Sequence, residues 1–166
     1  MPFLKQFNEM LIRPYTATTW QLVEDLVYEG EHQRFVIPAG YVTDFASVPT
    51  FLRWLVESYG PYTRAAIVHD WLITSEIPAK RVTSRDTDGI FRRVMREEGT
   101  PAAKRWLMWA AVRLGAAASP RRAYGRGFVR DLPLILPIMV LATPIVPAAV
   151  LVLLTRLLVS PLRAIK

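Results

Sequence analysis

Along the chain the apolar residues are first strand-like, then recur at helical spacing, and finally run on with no charge among them. Trp20 to Tyr28 (WQLVEDLVY) and Arg34 to Val42 are both rich in β-forming residues, and the connection EGEHQ between them contains Gly30. That pattern predicts a β-hairpin, with a turn or bulge at Gly40. The segment from Tyr41 to Pro49 then leaves the strand, and Pro49 forbids regular continuation. Thr43 or Ser47 is expected to cap a helix around Phe51 to Val56. Tyr62 to Thr74 predicts a longer helix after the Gly60-Pro61 turn. Ser84 to Glu98 predicts another: Thr83 and Ser84 are good N-caps, and Ile90, Phe91, Val94 and Met95 form its apolar stripe. Gly99 stops it, and Pro101 opens a helix through Trp106, Leu107, Trp109, Ala110 and Leu114.

The last run is different in kind. Leu132 to Thr155 passes without a charge, and about 20 apolar residues suffice to cross the hydrocarbon core of a bilayer. Pro133, Pro137, Pro144 and Pro147 interrupt it; membrane helices tolerate proline as kinks, and Pro144 with Pro147 keeps a re-entrant hairpin as the rival shape. The expected fold class is therefore α+β: a small domain of a β-hairpin plus about three helices, followed by a C-terminal transmembrane helix. The expected organisation is a soluble α+β domain over 1–118, a basic linker over 119–131, a transmembrane segment over 132–158 and a short basic tail over 159–166.

Charge sharpens this picture. The net charge is +7, but residues 1–98 carry −2, residues 99–131 carry +6 and the tail carries +3. Basic residues beside an apolar span suit anionic headgroups, at about 1 kcal/mol each near the surface. The expected partner is thus a lipid bilayer, with other envelope proteins as further partners; no nucleic acid is expected. Arg121, Arg122, Arg126 and Arg130 outnumber Arg156, Arg163 and Lys166, so the soluble domain of a single-pass membrane protein is expected on the cytoplasmic side. The N-terminus has Lys5 and Glu9 where a signal peptide needs an apolar stretch, so a cleaved signal is not expected. With no cysteine, disulfides and thiolate chemistry are excluded.

Candidate chemistry centres on His69. His32 falls in the predicted hairpin turn, where a solvated histidine is expected. His69 falls mid-helix, followed by Asp70, among Ala65, Ala66, Leu72 and Ile73. A polar pair there needs hydrogen-bond partners. His69 lies about 7.5 Å before the end of its helix and Asp88 about 6 Å inside the next. In an antiparallel pair the heights match, so Asp88 can meet the His69 ring. Two readings stay open. A carboxylate that fixes a histidine tautomer supports a general base, making His69 and Asp88 the candidate catalytic pair. The same pair can instead be a satisfied buried contact that locks two helices. Asp70 and Asp44 are candidate ligands of a divalent cation such as calcium. Zinc is not expected with one well-placed histidine, and Ser47 lacks the surroundings of a serine nucleophile.

Three blocks, Gly40-Tyr41-Val42-Thr43-Asp44-Phe45-Ala46-Ser47-Val48-Pro49, Tyr62 to Leu72 with its His-Asp pair, and Ser84 to Phe91, together resemble the phage and prophage domain-of-unknown-function family 1353, from about Phe35 to Gly115. The resemblance implies a phage or prophage origin and supplies no activity. A helix with His-Asp followed by one with Asp-x-x-Phe is also similar to the core of phospholipase A2 domains. That resemblance implies a water-activating role for His69, calcium binding for Asp70 and orientation of His69 by Asp88, with Phe91 completing the motif. Ile73 stands where that family has tyrosine, and no glycine-rich calcium loop is evident. The expected function is a membrane-anchored phage protein at the host envelope, either a calcium-assisted lipid or ester hydrolase or a non-catalytic module whose His-Asp pair is structural.

Overall fold

The computed structural model describes residues 12–30, 33–45, 60–117 and 127–142 of the chain. Within them five strands precede four helices. Strands β1 (Ile12–Pro14), β2 (Trp20–Leu22) and β5 (Val42–Thr43) form an antiparallel sheet in the order β1-β2-β5, and β3 (Leu26–Glu29) pairs with β4 (Arg34–Ile37).

The hairpin is β3–β4, in the register Leu26 with Ile37 and Tyr28 with Phe35. Alternation explains it: Leu26, Tyr28, Phe35 and Ile37 face the core while Glu29 and Arg34 stay exposed. The expected single strand from Trp20 to Tyr28 is instead two, β2 and β3, in different sheets. The break falls at Glu24-Asp25, where the Asp25 carboxylate accepts a hydrogen bond from the Ala39 amide at 2.7 Å. A side chain that binds backbone in this way competes with ladder formation. The helix expected around Phe51 to Val56, along with Ser47 and His32, lies outside the described residues.

Helix α1 (Thr63–Trp71) is the centre of the fold, with Ala65, Ala66, Ile67, Val68 and His69 all buried. It runs on into a π-helical turn, Leu72–Glu76, two residues past the expected end. Helix α2 (Ser84–Glu97) begins as expected at Thr83, whose hydroxyl accepts from the Asp86 amide while the Asp86 side chain accepts from the Thr83 amide. Gly99, in the left-handed region at φ 76°, ends it. Helix α3 (Ala102–Ala117) follows as expected. The helices pack in sequence, α1 on α2, α2 on α3 and α3 on α4 (Gly127–Ala142).

Helix α4 corrects the reading of the C-terminal run. It starts inside the stretch expected to be a linker, and Ile135 and Met139 are buried in the core formed by the preceding helices. Leu134, Leu136, Val140 and Leu141 remain exposed on its other side. Among the described residues no helix is long and apolar enough to cross a membrane. Residues 143–158 of the expected transmembrane segment lie outside the described residues. The physical reason for the difference is amphipathic packing: the first turns of the apolar run cover α3, so α4 serves the domain before it serves anything beyond.

Candidate functional site

Helices α1 and α2 bring His69 and Asp88 together, with His69 Nε2 2.8 Å from Asp88 Oδ1. Asp88 is fully buried and His69 is 8 % exposed. The Phe91 ring lies over the imidazole at a centroid distance of 4.7 Å and fixes its plane. A carboxylate only accepts, so Nε2 donates to it and Nδ1 is the acceptor of the neutral ring.

Asp88 has a second partner that the sequence reading missed. Arg113 of α3, 1 % exposed, donates from Nη1 to Asp88 Oδ2 at 3.3 Å, and its Nη2 donates to Asp131 of α4. Arg85 of α2 approaches Asp131 at 4.0 Å. The result is a buried chain, His69–Asp88–Arg113–Asp131, with one member on each of the four helices. Burying a lone charge is prohibitively costly, whereas alternating charges with shared hydrogen bonds offset much of that cost. A signal for Arg113 was present. It lies three residues after Ala110, four after Trp109 and seven after Trp106, on the apolar face of α3 rather than its solvent face. Leu114, expected in the apolar stripe, is exposed instead.

The candidate cation ligands lie elsewhere. Asp70 accepts from the Tyr41 hydroxyl at 2.9 Å, and that hydroxyl is 3.2 Å from Thr74 Oγ1. The π turn presents Thr74 there. Burial pushes the Asp70 carboxyl above its ordinary value; the Tyr41 hydrogen bond opposes the rise and the charge of Asp44 adds to it. Burial likewise pushes the Tyr41 phenol up. Asp70 thus sits in a Tyr41–Thr74 pocket near exposed Asp44, while His69 and Asp88 point into the helix core. Among the described residues no three histidine, aspartate or glutamate side chains come together to hold a metal ion.

One more ion pair and a tyrosine-centred hydrogen-bond pair tie α2 and its C-cap to their neighbours. Arg64 of α1 holds Glu98 at 2.6 Å, with both side chains buried. The Tyr28 hydroxyl donates to Glu97 at 3.0 Å and receives from Arg93 at 3.2 Å. Burial first, and Glu97 second, push the Tyr28 phenol up to about 12.

Fold and site define a small α+β domain whose helices are joined by buried, alternating charges. Residues 20–112, more than half of the chain, match the family described as "Protein of unknown function (DUF1353)". The chain belongs to that family. No curated protein and no solved structure matches it.

Proposed function

We propose that the chain is a non-catalytic, membrane-anchored module acting at the envelope of a phage's host, and that its His69–Asp88 pair is structural. The observation that carries this reading is the fully buried Asp88 carboxylate, committed on one oxygen to His69 and on the other to Arg113, which reaches on to Asp131 of α4. A carboxylate that merely orients a catalytic histidine has no need of a buried arginine leading away from the site. A clamp between a folded domain and the helix that opens its apolar C-terminal run does. The uncharged stretch from Leu132 to Thr155 supports the anchor. Asp70, turned to Tyr41 rather than toward His69, adds nothing to a calcium site beside that histidine.

The test pairs localisation with stability and activity. The full chain should pellet with membranes and resist high-salt and alkaline washing. His69→Gln should lower stability by about 1–3 kcal/mol by leaving Asp88 short of a partner, followed by urea unfolding. Wild type should release no fatty acid from phospholipid vesicles, with or without calcium. Calcium-dependent turnover that His69→Gln abolishes without loss of stability would overturn the reading in favour of the hydrolase, with His69 as base, Asp88 as orienter and Asp70 as cation ligand. Release by salt alone would overturn the anchor.

A further inference from the structure

The outer side of α2 forms, with the start of α3, an open groove of about 770 Å³ lined by Arg85, Arg92, Arg93, Arg96, Arg105 and Trp106, among others. Nothing in the charge totals announces it, because residues 1–98 are net acidic. The explanation lies in where the acidic residues of α2 turn. Asp88 faces His69 and Arg113, Glu97 meets Tyr28, and Glu98 meets Arg64. Asp86 lines the groove but is engaged by the Thr83 cap. Arg93 reaches the Tyr28 hydroxyl and Arg85 approaches Asp131, while Arg92, Arg96 and Arg105 are left facing one another. Arg92 feels it: burial first, then the charges of Arg105 and Arg96, lowers its basicity.

We infer that this groove seats the phosphate groups of anionic lipid headgroups. Several arginines converge on one open volume, and the guanidinium fork matches phosphate oxygens in a bidentate geometry. Arg92 lies over the Trp106 ring, its guanidinium carbon 4.4 Å from the ring centroid, so that the aromatic residue holds the cation at the groove. The same contact argues against single-stranded nucleic acid. A base needs an open aromatic face, and Trp106 is covered by Arg92 on its face and meets Trp109 edge-on at 5.4 Å. The groove also adjoins apolar surface. Its Arg85 end approaches Asp131 on α4, which goes on to expose Leu134, Leu136, Val140 and Leu141. Basic residues and tryptophan beside exposed leucine are the arrangement that suits a membrane interface. The inference deepens the membrane reading proposed above and rests on it.

The experiment adds the full chain, from dilute detergent, to an equal mixture of phosphatidylcholine vesicles and vesicles with phosphatidylglycerol, separately dyed. Flotation then reads the distribution between the two. Wild type should favour the anionic vesicles by at least about tenfold at moderate salt. The triple variant Arg92→Gln, Arg96→Gln, Arg105→Gln should lose the preference, since each basic group near the surface contributes roughly fivefold and the three together on the order of a hundredfold. Its circular dichroism and melting should match wild type; if they do not, Arg96→Gln alone, on the exposed side of α2, must still weaken the preference. Equal distribution of wild type and variant on both vesicles would overturn the groove while leaving the anchor intact. Binding to anionic vesicles alone, released by salt but lost in the variant, would overturn the anchor while keeping the groove. Loss of the preference in 10 mM inorganic phosphate would assign the groove to free phosphate rather than headgroups and overturn the lipid assignment. Tight binding of a single-stranded oligonucleotide, lost in the triple variant and with no lipid preference, would overturn it in favour of nucleic acid.

Discussion

The two sides of α2 use the same residue types to opposite ends. On the inner side Asp88 meets His69 and the α3 arginine Arg113, all of them buried, and every charge is spent on a partner. On the outer side Arg85, Arg92, Arg93 and Arg96 line an open groove, where Arg96 and Arg105 of α3 crowd Arg92. Desolvation decides the difference. A buried arginine is tolerable only when carboxylates surround it, so Arg113 joins helices. A solvated arginine is tolerated beside its like because water and salt screen it, so the outer row keeps its charge for a ligand. The comparison teaches that net charge by segment says little about a helix whose acids and bases face different ways.

The largest effect should come from the inner side. Arg113→Met removes the cation shared by Asp88 and Asp131 and leaves a buried carboxylate with His69 as its main partner. Urea unfolding should show a loss of about 3–5 kcal/mol. The matching change outside, Arg92→Met, gives up a contact with Trp106 in the cation–π range of about 0.5–1 kcal/mol for exposed sites. Similar losses from the two substitutions would break the comparison.

How much of this is legible in the sequence depends on range. The β3–β4 hairpin could be read because its alternation is local, and α2 because Thr83, Asp86 and the Ile90–Phe91–Val94–Met95 stripe lie within the helix itself. The proximity of His69 and Asp88 followed from two helical heights, which spacing supplies. Arg113 and Asp131 did not follow, because their pairing depends on how α3 and α4 dock. Arg113 looked like one more basic residue near an apolar run, and the position that marks it as inward is visible only once the α3 stripe is known. The division of Trp20–Tyr28 into two strands accompanies a hydrogen bond that the amide of Ala39, fourteen positions on, donates to the Asp25 side chain. The groove was hidden for the reason already given: α2 carries three acids, Asp86, Asp88 and Glu97, against four bases, Arg85, Arg92, Arg93 and Arg96, and only the fold separates them.

Asp70 and Asp88 give a sharper contrast, since both are shielded carboxylates beside the same histidine, Asp70 next to it in the chain and Asp88 hydrogen-bonded to it from α2, but they differ in what surrounds them. Asp70 has no cation among the side chains that hydrogen-bond it, and its pKa is raised above the ordinary 3.8 by burial. A raised folded-state value means the folded chain holds its proton more tightly than the unfolded one. The stabilising contribution is then complete below about pH 3.8 and is lost as pH rises through the folded value. Asp70→Asn, which keeps an oxygen for Tyr41, should therefore melt higher than wild type near neutral pH, by under about 5 °C, with the gap closing in acid. Asp88→Asn should do the reverse at neutral pH and melt lower, because Arg113 loses a charged partner. A gain from both substitutions would mean that Arg113 contributes nothing to holding Asp88.

The smallest effect tests the outer row without any ligand. Arg92 and Arg96 are four residues apart on α2, and Arg93 and Arg96 three, so their side chains are neighbours on the helix surface. Like charges at that spacing destabilise by roughly 0.2–0.5 kcal/mol per pair. Arg96→Gln should thus gain a few tenths of a kcal/mol at low ionic strength. Salt should erase that gain, since the Debye length falls from about 30 Å at 0.01 M to about 10 Å at 0.1 M. Wild type should melt higher as salt is added, and Arg96→Gln should respond less steeply. Arg113→Met should keep its full loss at both salts, because a buried pair is screened little. Were Arg96→Gln instead to destabilise at low salt, the outer arginines would be engaged as fully as the inner one, and the groove would hold no spare charge to offer a headgroup.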